Sequence, residues 1–85
     1  MSQRLQEVSG LVRNASTKDA LPFASVRVEG STKGTTTDKH GRFTLYLEPG
    51  SHTLVASYIG YTSAQRILRI DRERVDATLE LSPGH

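Results

Sequence analysis

The residues of this 85-residue chain that could do chemistry are few, and their spacing suits none of the common devices. His40, His52 and His85 are the available imidazoles, and no cysteine accompanies them. A zinc site needs three or four converging ligands, often with two of them one helical turn apart. Here one histidine stands in a turn sequence, one opens a strand pattern and one is the last residue, so solvated imidazoles are expected and no metal is assigned. Ser, His and Asp all occur, but no Gly-x-Ser-x-Gly elbow does, and a flat strand activates no nucleophile. No catalytic residue and no cofactor-binding residue is assigned. Asp38-Lys39-His40-Gly41 resembles a calcium loop only faintly, because such loops carry several oxygen ligands and Lys39 would set a cation beside the ion. Gly30-Ser31-Thr32-Lys33-Gly34-Thr35 lacks the spacing of a phosphate loop and has no helix to open. Both stretches read as turns.

Two further groups concern partners. Arg66, Arg69, Arg72 and Arg74 cluster late in the chain, but Asp71, Glu73 and Asp76 interrupt them and no aromatic platform is interleaved for base stacking. A charge-paired, solvated edge is the expectation, and the net charge of +2 speaks for solubility rather than nucleic-acid affinity. Tyr58 and Tyr61 flank Ile59-Gly60. Tyr is enriched at interfaces, so the pair is the candidate partner contact. The competing reading places Tyr58 in the core and Tyr61 half-buried over the end of the domain.

The elements that position these residues are strands. Turn signals recur at intervals of roughly 8–12 residues, as in β-sandwiches, and apolar residues alternate with polar ones between them. Val8, Gly10 and Val12 share one face of a first strand, Leu5 to Arg13. Pro22 precedes a second strand with Ala24, Val26 and Val28 inward, the place where its missing N–H does least harm. Thr35 to Asp38 makes a short third strand. Asp38 can bond amides two residues on and Gly41 can take a positive φ, which gives a reversing turn. Phe43, Leu45 and Leu47 line the fourth strand and Leu54, Ala56 and Tyr58 the fifth, with the turn dipeptide Pro49-Gly50 between them. Thr62 to Ile70 is expected as a sixth strand with Leu68 and Ile70 buried. A charged turn, Asp71-Arg72-Glu73-Arg74, leads to a last strand with Val75, Ala77, Leu79 and Leu81 inward. Helix over Arg66 to Leu79 is the poorer reading, because the apolar positions alternate and β-branched residues sit among them. The prediction is an all-β domain, a seven-stranded antiparallel β-sandwich.

Composition agrees. The chain is one domain, residues 1–85, with its core in 5–81 and a tail at 82–85. Apolar residues make up 35 % and there is no Trp, so the core must be thin, as between two sheets. A chain of this size buries roughly 60–65 % of its unfolded surface. No apolar stretch is long enough to span a membrane as a helix. Met1-Ser2-Gln3-Arg4 leads into no apolar leader region, and removal of a leader would leave export open.

Several motifs in one order carry a resemblance. They are Val8-Ser9-Gly10-Leu11-Val12, Leu21-Pro22-Phe23-Ala24-Ser25-Val26, Gly34-Thr35-Thr36-Thr37-Asp38 through Gly41-Arg42-Phe43, Pro49-Gly50-Ser51-His52-Thr53-Leu54 and Tyr58-Ile59-Gly60-Tyr61. From Val8 to about Leu81 the chain resembles the carboxypeptidase regulatory-like domain, a transthyretin-like (prealbumin-like) seven-stranded sandwich with an Ig-like Greek key. Tyr58-Ile59-Gly60-Tyr61 most resembles the version that precedes the plug and barrel of TonB-dependent outer-membrane receptors. The resemblance implies a non-catalytic accessory module in the periplasm, with neighbouring domains of a larger protein or a periplasmic protein as partners. No nucleic-acid partner is expected from the charge pattern, and no direct membrane insertion from the short apolar stretches. The alternatives are a domain bracing a metallocarboxypeptidase or carbohydrate-processing protein, and a stand-alone glycan binder, for which two Phe and three Tyr leave little to build a platform. A transthyretin-like relative hydrolyses 5-hydroxyisourate and ends in Tyr-Arg-Gly-Ser. This chain ends in Ser82-Pro83-Gly84-His85, which counts against that activity.

Overall fold

The computed structural model describes residues 5–71 and 75–84. Its strands are β1 (Gln6–Asn14), β2 (Ser25–Val28), β3 (Gly34–Thr36), β4 (Arg42–Leu47), β5 (Gly50–Ser57), β6 (Tyr61–Thr62), β7 (Ala64–Ile70) and β8 (Val75–Pro83). They form two four-stranded sheets, ordered β4-β1-β8-β6 and β3-β2-β5-β7. The last three residues of the expected charged turn, Arg72, Glu73 and Arg74, lie outside the described residues, as does His85.

Alternation becomes burial strand by strand. Val26 and Val28 face inward from β2, and Phe43, Leu45 and Leu47 from β4, while the residues between them are exposed. Leu68 and Ile70 are the buried residues of β7, and Ala77, Leu79 and Leu81 those of β8. These side chains meet Val8, Val12, Leu54 and Ala56 in one core between the sheets. Gly10 is required there: a Cβ would run into the Phe43 ring and the Ala77 carbonyl, so its absence lets Phe43, its register partner, lie across β1.

Three expectations are corrected. Among the described residues there are eight strands, not seven, because the expected sixth strand is two. Tyr61 and Thr62 pair with Pro83 and Ser82 of one sheet, and Ala64 onward pairs with β5 of the other. The supposed tail at 82–85 therefore contributes Ser82 and Pro83 to β8. Nor is the sandwich wholly antiparallel: β1 and β8 run parallel, with Val8 opposite Val75 and Asn14 opposite Leu81. The cause is that most connections pass from one sheet to the other instead of closing a hairpin. Alternation dictates which face of a strand is buried, but it does not specify the neighbour or the direction of pairing.

Candidate interaction surface

Turn chemistry engages Asp38 and Lys33. Asp38 Oδ1 accepts from the His40 and Arg42 amides at 2.8 and 3.0 Å, and Gly41 takes φ 76°. The Arg42 amide, and then the His40 amide, hold the Asp38 carboxyl below its usual pKa. Lys33 is part of the β2–β3 hairpin: its carbonyl accepts from the Val28 amide at 3.0 Å and its Nζ donates to the Tyr46 carbonyl at 3.2 Å. His52 Nε2 lies 2.8 Å from the Glu48 carbonyl. Among the described residues, no group of three or more His, Asp and Glu side chains is placed to share a metal ion.

Of the arginine cluster, Arg66 donates to the Thr78 carbonyl at 3.2 Å, tying β7 to β8, and Arg69 lies exposed on β7 opposite Ser51. Arg72 and Arg74 lie outside the described residues. A different ion-pair group stands on the sheet face. Glu80 Oε2 receives Arg13 Nη2 at 2.7 Å and Lys18 Nζ at 3.0 Å. Lys18 foremost, then Arg13, lowers the Glu80 pKa.

Tyr58 and Tyr61 are half-buried and pack against the core, with ring centroids 5.5 Å apart and a tilt of 52°. The Tyr61 amide donates to the Tyr58 carbonyl at 3.0 Å, closing a turn in which Gly60 has φ 85°. The Tyr61 hydroxyl accepts from Asn14 Nδ2 at 3.1 Å, and the same buried Asn14 holds its own loop through Ser16 N–H···Oδ1 at 2.7 Å. The pair thus closes one end of the sandwich, while Ile59 between them is 92 % exposed.

Beside Ile59 stands a residue that sequence reasoning missed. Phe23 is 68 % exposed and has φ 62°, in the left-handed region. Leu21-Pro22-Phe23-Ala24 places Pro first and Phe second at the centre of a turn, where a positive φ normally selects Gly or Asn. The conformation is held by Thr37, which is 1 % exposed. Its hydroxyl donates to the Leu21 carbonyl at 2.8 Å and accepts from the Ala24 amide at 2.7 Å. Its backbone accepts from the Phe23 amide at 3.1 Å and donates to the Ala24 carbonyl at 2.9 Å. Phe23, Ser25, Ser57, Tyr58 and Ile59 line a surface hollow of about 410 Å³. The available signal was Pro22-Phe23 itself, a turn pair with a large apolar residue in its left-handed position.

The fold and its surface define a small β-sandwich whose distinctive features are turns, sheet edges and one apolar end. The chain belongs to the CarboxypepD_reg-like domain family, whose family model matches residues 8–84. It is 37 % identical to two TonB-dependent receptors of Formosa agariphila, over 87 % and 93 % of its own length. It spans only 7 % and 8 % of those receptors. Among solved structures it is similar to a putative membrane-associated protein of unknown function from Bacteroides fragilis, with a TM-score of 0.71, 18 % identity, and coverage of 98 % of this chain and 29 % of that one. It is also similar to the 5-hydroxyisourate hydrolase of Klebsiella pneumoniae, with a TM-score of 0.67, 20 % identity, and coverage of 94 % and 92 %. At these identities the two structures show a shared fold alone.

Proposed function

We propose that this domain is a non-catalytic accessory module at the periplasmic N-terminal end of a TonB-dependent outer-membrane receptor, where it contacts neighbouring domains or a periplasmic protein. One observation carries the reading: the receptor relatives match nearly all of this chain, yet the chain amounts to less than a tenth of them. That is the relation of a module to a host. The geometry supports it, because Asp38, the carboxylate weighed as a calcium ligand, is engaged by the His40 and Arg42 amides of its own turn. A fold shared with a hydrolase does not transfer its chemistry, which lives in particular side chains.

The test is deletion of this domain from the parent receptor. A barrel that still inserts and binds its substrate, but whose uptake or assembly with periplasmic partners falls, is the expected outcome. Turnover of a ureide, ester or peptide by the isolated domain, abolished by changing one polar residue, contradicts it.

A further inference from the structure

Resting on that receptor reading, we infer that Phe23, Tyr58 and Ile59 form the seat for the polypeptide that follows this domain in its parent, which docks there through an apolar segment. Three independent observations converge. The first is exposure. Single exposed apolar residues are ordinary on protein surfaces, but a contiguous apolar patch marks a contact. Phe23 and Ile59 stand on adjoining turns and share one hollow with Tyr58.

The second is strain. A bulky residue in the left-handed region is uncommon and persists only where its surroundings over-determine it. Thr37 does so with four hydrogen bonds around Phe23. Gly would occupy the position without strain, and the ring, largely in solvent, gains little from this domain's own core. Its reward lies outside the domain.

The third is where the chain leaves. The Gly84 amide donates to the Gly60 carbonyl at 2.9 Å, and Pro83 pairs with Tyr61. Polypeptide leaving β8 at Gly84 therefore does so beside the Ile59–Gly60 turn. What precedes the domain arrives at the other end. β1 and β8 run parallel with Asn14 opposite Leu81, so Leu5 and Gly84 lie about twelve residue positions apart along the strands, roughly 40 Å at ~3.3 Å per residue. A following segment is tethered at the patch, and its high effective concentration lets a small contact suffice.

The experiment places one cysteine in the hollow, Ser25→Cys, since the domain has none and Ser25 is exposed. Its rate of thiol labelling, read by peptide mass spectrometry, is compared between the full parent polypeptide and the isolated domain. Labelling at least tenfold slower in the parent is expected. Phe23→Gly added to it should bring the rate to within about twofold of the isolated domain, while the isolated F23G domain melts no lower than wild type. Ile67→Cys on β7 serves as the control, and it should label at the same rate in both. Equal rates at Ser25→Cys in parent and isolated domain overturn the docking. So does protection that appears in the isolated domain as its concentration rises, which assigns the patch to a second copy. Protection in a parent that is not a receptor keeps the docking and sinks the receptor reading. Exposure in a parent that is a receptor does the reverse. A parent with nothing after residue 85 ends both.

Discussion

Thr37→Val is the perturbation that best separates the hydroxyl from the shape of the side chain. Valine keeps the volume and the β-branch but removes both hydroxyl hydrogen bonds. The Leu21 carbonyl and the Ala24 amide then lose those partners at a site where Leu21, Ala24 and Thr37 are all buried. Each buried group left unsatisfied costs about 1–3 kcal/mol, so the pair should cost about 3 kcal/mol. For a domain of this size 1 kcal/mol moves the melting temperature by about 4–8 °C, which predicts a fall of about 12–24 °C. Thr37→Ser keeps the hydroxyl and loses one methyl, worth about 0.8 kcal/mol. Thermal unfolding followed by circular dichroism should therefore rank wild type above Ser and Ser clearly above Val. A valine variant melting within about 3 °C of wild type, or above the serine variant, would refute the view that this hydroxyl holds the Phe23 turn.

Two other perturbations test the fold and its electrostatics. Gly10→Ala drives a methyl into the Ala77 carbonyl and the Phe43 ring, and overpacking of this kind costs about 1–3 kcal/mol, so a melting temperature unchanged from wild type contradicts the packing. Asp38 and Glu80 have folded pKa values below their unfolded ones, so their stabilisation is present above the unfolded values, near pH 4, and is lost as pH falls through the folded values. Melting temperature should drop on acidification below about pH 4, and Glu80→Gln should make that drop shallower. An unaltered acid limb in the glutamine variant removes Glu80 from the explanation.

Much of the architecture was legible because period-2 alternation is a direct record of burial. Val26 and Val28, Phe43 to Leu47, and Leu68 with Ile70 all read correctly from spacing. The Asp38–Gly41 turn was legible for a different reason, since its side chain and its glycine each have one local job. Strand pairing was not legible. Nothing in Thr62-Ser63-Ala64 says that the chain changes sheets there, and nothing in Val75 to Leu81 says that its neighbour runs parallel. Thr37 read as one of three threonines in a strand, whereas it lies just beyond β3 and is buried by contacts with residues 21 to 24. Phe23 was overlooked because an apolar residue next to a strand looks like core, whereas Ile59 entered only as the residue between the two tyrosines. Val55 is the converse: it is buried outside the main core, in register with Arg27 and Gln65 of the strands on either side.

The central claim, a module carried by a receptor, is tested most directly on the native polypeptide that contains this segment. An antibody against the domain, used on fractionated cells with mass spectrometry of the captured band, identifies that polypeptide and its compartment. The account predicts a polypeptide more than ten times the length of this domain, in the outer-membrane fraction, with barrel peptides following residue 85. A free domain, or one joined to a metallopeptidase, would contradict it.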